Sequence, residues 1–224
     1  MFTRDFSTLA VRLQPSVPGC PRQTIIQYIR TAAIKTCERT LAWRYQQPEF
    51  DLTPGTYVYN FNKPAETQVH AVFGAMMNKA PLDVLTLDEA LRLYPAWADK
   101  YTTSGDIEEF GTQPRSITQI SPHQFAVLPL PDAERAYTMR MFYALRPSRD
   151  ASGMDEVMFD ELEDVIMHGA LQELLVLPDA HWSDRELAAY HAKQFVFQVA
   201  ERRARANLGN ARGVVRARMQ PFGA

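Results

Sequence analysis

The chain has 224 residues, 46% hydrophobic and 22% charged, enough apolar content to bury one large core or two small ones. A formal net charge of −2 argues against general coating of nucleic acid by the whole molecule. No apolar run approaches the ~20 residues that cross a bilayer, so no membrane partner is expected.

The charge is unevenly placed. From Ala200 onward Arg202, Arg203, Arg205, Arg212, Arg216 and Arg218 stand against one acid, Glu201, a net +5. Residues 1–199 keep 18 basic and 25 acidic residues, a net −7. A basic tail on an acidic body suits docking on something else: an acidic protein groove, a nucleic acid or a neighbouring copy.

The N-terminal MFTRDFSTLAVRL lacks the uninterrupted apolar region of a signal peptide. Residues 1–20 read as an extended arm, because Pro15, Pro18 and Gly19 oppose regular structure. Pro21 then suits a first-turn helix position. Ile25, Ile29, Ala33, Cys37 and Leu41 recur every four residues, with Ile26 and Ile34 beside them. That spacing predicts an amphipathic helix from Pro21 to about Trp43. Cys20 and Cys37 do not make a disulfide framework. Cys37 lies on the apolar stripe and reads as a buried thiol, which fits synthesis in a reducing cytoplasm.

Residues 50–147 change to a period of two. Tyr57, Tyr59 and Phe61 alternate with Val58 and Asn60. Tyr137, Met139, Met141, Tyr143 and Leu145 alternate with Thr138, Arg140, Phe142 and Ala144. Shorter strands are predicted at 69–73, 116–120 and 125–128, between turn signals at Pro54-Gly55, Ser121-Pro122 and Pro129 to Asp132. Thr86 and Glu89 form a capping-box pair for one short helix, which Pro95 stops. Residues 95–115 read as a loop.

From Ser152 the helical period returns. Val157, Leu162, Val165, Ile166, Gly169, Ala170 and Leu174 form a stripe, and Gly169-Ala170 leaves room for a close neighbour. Ser183 and Glu186 read as the capping box of the last helix, with Trp182 and Leu187 as its hydrophobic staple and Gly209 as its stop. The predicted fold is α+β: a helical bundle from 21–49 and 148–209, a β-rich subdomain at 50–147, and a tail at 210–224.

No Gly-rich phosphate loop, G-x-S-x-G elbow, H-E-x-x-H or paired-cysteine zinc pattern is present in the sequence. Asp160, Glu161, Glu163 and Asp164 lie near His168, but Asp164 and His168 are four apart, not the three of a di-metal helix. A solvated face with an i,i+4 pair is the expectation. His181 and His191 have no evident nucleophile partner. The strand aromatics, with few Lys or Arg among them, read as sheet core rather than a stacking platform for single strands. The arginines at 202–218 leave three readings open: solvated charge, a phosphate-contacting element, or a tail that docks on a protein groove.

Four segments carry a resemblance. They are VPGCPRQTIIQYIRTAAIKTCERTLAWR (17–44), PGTYVYNF (54–61), VLPLPDA (127–133) with LRPS (145–148), and HGALQELLVLPDAHWSD (168–184) leading to AAYHAKQFVFQVAERRARAN (188–207). In order and spacing the chain resembles the head-to-tail adaptor (connector) proteins of tailed bacteriophages, the group that includes tail tubular protein A–like gatekeepers. The resemblance implies a helical bundle with a β-rich extension. It implies a ring, usually of twelve copies, beneath the portal protein at the head–tail junction of the virion. Such a ring extends the channel through which packaged double-stranded DNA passes, helps retain the genome, and offers a platform to the next tail or nozzle protein. It implies no enzymatic activity and no cofactor.

In related adaptors the C-terminal segment reaches into the portal. Residues 210–224 would extend ~50 Å at ~3.3 Å each. Their residues suggest Arg212, Arg216, Arg218 and Phe222 as portal contacts, with Arg202, Arg203 and Arg205 as a basic cluster at the helix end. Another tail-completion protein, or a DNA-binding module that uses the Arg-rich helix end, is the alternative.

Overall fold

The computed structural model describes residues 3–95, 97 and 113–208. Its fold is mixed α+β. The N-terminal residues are not the extended arm that Pro15, Pro18 and Gly19 suggested. They form strand β1 (Thr3–Asp5), helix α1 (Phe6–Leu13) and a 3-10 turn at Gln14–Ser16. Phe6, Leu9, Ala10 and Leu13 share one helical face and are fully buried. Asp5 caps the helix by accepting from the Ser7 amide at 2.6 Å. The prolines act only after this helix has ended.

Helix α2 (Arg22–Thr40) buries Ile25, Ile29, Ala33 and Cys37, as its four-residue spacing predicts. It stops three residues before Trp43 because Leu41 takes the left-handed conformation (φ 53°) and returns its amide to Cys37. Burial pushes the Cys37 thiol up to about 12, with Glu38 adding to the shift, so this cysteine stays protonated and inert.

The chain then builds β2 (Arg44–Gln46), β3 (Phe50–Asp51), β4 (Val58–Asn60), β5 (Thr67–Met77) and β6 (Ala80–Leu85). Strand β6 has no counterpart among the predicted strands. Asn78 and Lys79 both have positive φ (48° and 69°), which makes the two-residue turn of a hairpin. Helix α3 (Leu87–Leu93) follows, and Thr86 and Glu89 exchange both hydrogen bonds of the capping box. Strands β7 (Ser116–Gln119), β8 (Gln124–Leu128) and β9 (Thr138–Pro147) complete the main sheet.

Its strand order is β2-β9-β5-β6-β7-β8-β4, with β3 also on β9. The β6–β7 pairing is parallel; the other described pairings are antiparallel. Strand β5 loses register with β9 between Val69 and Ala71 and between Val72 and Gly74. Such bulges bend a sheet, and the bend folds the β9 side over β8. The Phe61 ring lies 4.9 Å from Phe125 and 5.3 Å from Tyr143, and Phe50 lies 6.2 Å from Phe125. The strand aromatics are therefore sheet core. The Tyr143 hydroxyl donates to the Asn62 carbonyl at 2.7 Å, and burial raises its pKa.

Strand β10 (Gly153–Asp155) pairs with β1 and leads into helix α4 (Glu156–Leu174). On α4 the predicted stripe is buried except at Val157, which is 72% exposed and faces solvent in the first turn. Helix α5 (Arg185–Leu208) begins after Asp184. The cap is Asp184 rather than Ser183: its carboxylate accepts from the amides of Glu186 and Leu187 at 3.0 and 2.9 Å. A charged acceptor suits the positive end of the helix dipole. Ser183 donates instead to the Leu175 carbonyl at the end of α4. Trp182 packs on the main core, whereas Leu187 is 39% exposed. The expected stop at Gly209 lies outside the described residues. One buried cluster runs from α1, α2 and α4 into β5, β8 and β9.

Candidate docking surfaces on the helices

Helices α4 and α5 meet where Gly169 removes a side chain. A Cβ at this position would stand 2.9 Å from the Phe195 ring and 3.1 Å from Ala32 Cβ. The room predicted at Gly169-Ala170 is thus taken by a ring from α5 and a methyl from α2. Phe195, Val165 and Val199 form a small buried cluster of their own, and Arg39 of α2 lies 5.5 Å over the Phe195 ring.

One turn along, His168 of α4 and His191 of α5 face each other with Nδ1 atoms 2.7 Å apart. Neither residue's sequence neighbours suggest this, since the pair forms only when two helices pack. The contact needs one nitrogen to donate and the other to accept, so both rings cannot carry a proton on Nδ1. Burial lowers both pKa values; Asp164 opposes this at His168, and His168 adds to it at His191.

The sign of the pH effect follows. Between the lowered folded values and the ordinary value near ~6.5, the unfolded chain binds more protons than the folded one. This contribution to stability is present above the ordinary value and is lost as pH falls through the folded values. The melting temperature is expected to fall between pH 7.5 and 5.5. The fall should be smaller when both histidines are replaced by glutamine; an unchanged pH slope in that double variant would contradict the assignment.

The helix-end arginines are partly engaged within the chain. Arg202 is half-buried and lies 3.9 Å from Glu161 of α4. Arg205 pairs with Glu201 at 3.1 Å. Arg203 is exposed and makes no ion pair among the described residues. Arg212, Arg216, Arg218 and Phe222 lie outside the described residues. A second basic region lines a groove of about 610 Å³ beside α2. Most of its cations are committed too: Lys35 to Glu173 at 2.6 Å, Arg146 to Glu38, and Arg30 Nε to the Ala151 carbonyl at 2.7 Å.

Among the described residues no group of three or more His, Cys, Asp or Glu is placed to hold a metal ion, and His181 is exposed. No described helix is long and apolar enough to cross a membrane. A family model described as SU10 adaptor protein matches residues 4–219, and the chain belongs to that family. The match covers nearly the whole sequence and is consistent with a phage head-to-tail adaptor. No curated protein matches the chain.

Proposed function

We propose that this chain is a structural subunit of a ring adaptor between the portal and the tail of a phage virion. In this reading it has no catalytic role. The ring, of twelve copies, extends the DNA channel, helps retain the genome and offers a platform to the downstream tail or nozzle protein. The single observation that carries the reading is the adaptor family match from residue 4 to residue 219.

The helices of the chain's two ends form the bundle of this ring, and residues 50–147 form the extension that points toward the tail. Charge placement supports a division of labour. A ring of bodies each carrying −7 over residues 1–199 repels DNA phosphates and lets the duplex slide. Residues 210–224 carry three arginines and no acid, and we assign them to the portal. Arg212, Arg216, Arg218 and Phe222 are the proposed contacts, and Arg203, exposed near the end of α5, adds to the basic charge of the helix end. Modest contacts repeated around a ring add up through avidity.

The competing reading is a DNA-binding module built on the helix-end arginines. It predicts duplex affinity that falls steeply with salt. The commitment of Arg202 to Glu161 and of Arg205 to Glu201 counts against it. Electron microscopy of the full chain mixed with its cognate portal ring tests the proposal. An added ring of density below the portal is the expected result. A bare portal, together with a salt-sensitive shift of duplex DNA, would replace it with the DNA-binding reading.

A further inference from the structure

Three arginines from separate elements come together along one side of helix α5. Arg44 of β2 donates from Nη2 to the Asn207 side chain at 3.5 Å. Arg39 of α2 lies 5.5 Å over the Phe195 ring. A Cβ at Gly169 would touch both Phe195 and Ala32, so those two residues stand side by side. Arg44 follows Ala32 by 12 residues and Asn207 follows Phe195 by 12, so α2 and its exit run alongside α5 in the same direction. Arg39 and Arg203, 7 and 8 residues along, start at nearly the same height. At about 100° per residue the side of α5 from Phe195 to Asn207 covers an arc of about 120°, and Val196 and Arg203 lie inside it. Glu186 and Glu201, the acids of α5, fall outside that arc.

Elsewhere on the helices arginines meet carboxylates, as Arg4 meets Asp160, Arg12 meets Glu163 and Arg202 meets Glu161. Arg39, Arg44 and Arg203 are exposed and make no ion pair among the described residues. They are left so in a body where residues 1–199 hold 25 acids against 18 bases. Apolar surface lies between them. Val196 is 62% exposed, and Phe73, 39% exposed, lies 4.8 Å beneath the Arg44 guanidinium. A guanidinium held over a ring keeps its N–H edge for an acceptor, and its fork matches a carboxylate. Arginine and aromatic residues together are the composition of a protein contact.

We propose that Arg39, Arg44 and Arg203 form a docking site for a short acidic segment of another protein, with Val196 and Phe73 as its apolar contacts. Charge complementarity calls for carboxylates. The exposed apolar residues select a protein segment over a phosphate backbone, which brings no apolar surface. A duplex also carries charge along its whole length and would meet the acids of the surrounding body, whereas a short segment carries charge only where it binds. From Phe195 to Asn207 the site is about 18 Å long at ~1.5 Å per residue, the span of roughly five or six extended residues at ~3.3 Å each. The inference goes beyond the ring reading and does not depend on it, and its residues are separate from the tail contacts assigned to the portal.

Peptide selection tests this. A library of random peptides displayed on yeast is selected against the full-length protein, and recovered peptides are measured by fluorescence anisotropy beside a short DNA duplex. The recovered peptides are expected to share two or more acids and an apolar residue. The R44Q/R203Q variant is expected to bind them at least about tenfold more weakly, through loss of two charge-assisted contacts. R149Q, which removes an exposed arginine of the groove beside α2, is expected to bind as the unaltered chain does. Arg203 gives up no ion pair within the chain, so R203Q alone repeats the test if the double variant melts early. Equal binding by the R44Q/R203Q and unaltered chains would place the acids elsewhere, on the tail or in that groove, and overturn the site. Recovery of peptides without acids, or of none, overturns it as well. Duplex binding that R44Q/R203Q abolishes, with no peptide recovered, replaces the protein segment with a phosphate backbone.

Discussion

Replacing Phe195 with alanine is expected to cost about 3–5 kcal/mol of stability and to lower the melting temperature by roughly 10 °C or more. The ring is 1% exposed and closes the contact of α5 with α4, where Gly169 leaves it space. Its neighbours Val165 and Val199 are few, so the cavity left behind has little to collapse into it. The cation of Arg39 would lose its aromatic face as well. Phe197→Ala, two residues away and 68% exposed, is the control. It should change the stability of the isolated chain by less than about 0.5 kcal/mol. Urea melts of both variants read the difference. Equal losses would mean that the two sides of α5 are not distinguished in solution as they are in the structure.

Gly153→Ala has a comparable effect by a different route. A Cβ at this position would stand 2.2 Å from the Arg4 carbonyl oxygen and 2.8 Å from its carbon. Both atoms are backbone, so no side chain can turn aside. Gly153 pairs with Asp5 in the β1–β10 ladder, next to the Phe6 amide that bonds the Ser152 carbonyl at 3.1 Å. The loop is held from the other side by Glu66, which accepts from the Ser152 amide and hydroxyl at 2.8 and 2.9 Å. The substitution is expected to release β1 and to cost about 3 kcal/mol, the upper end for an overpacked site. Trypsin cleavage after Arg4 should accelerate together with the fall in melting temperature. A variant with unchanged cleavage and stability would refute the close approach.

The parts of this architecture that were legible were those with long periodic signals. Nineteen residues of α2 repeat an apolar position every four, and α4 does nearly the same. The capping box of α3 is a local code, read from Thr86 and Glu89 alone. Helix α1 was hidden because its signal is eight residues long and stands before two prolines and a glycine that argue the other way. Pro81 hid β6 in the same manner, and the positive-φ turn at Asn78-Lys79 lacks the glycine that marks most such turns. At the start of α5 two adjacent residues, Ser183 and Asp184, can each cap, and only the packing of Ser183 on Leu175 decides between them.

The candidate surfaces were less legible than the fold. The excess of arginine after Ala200 is plain in the sequence, but the engagement of Arg202 and Arg205 depends on where Glu161 and Glu201 come to lie. The His168–His191 contact joins residues 23 apart on different helices.

The central claim is that the chain joins a portal ring through its basic tail. Co-sedimentation with the cognate portal, comparing the full-length protein with a chain ending at Gly209, tests it most directly. Full-length protein should sediment with the portal, and the shortened chain should stay in the supernatant. Equal binding by both would contradict the tail as the docking element, and binding by neither would contradict the adaptor role itself.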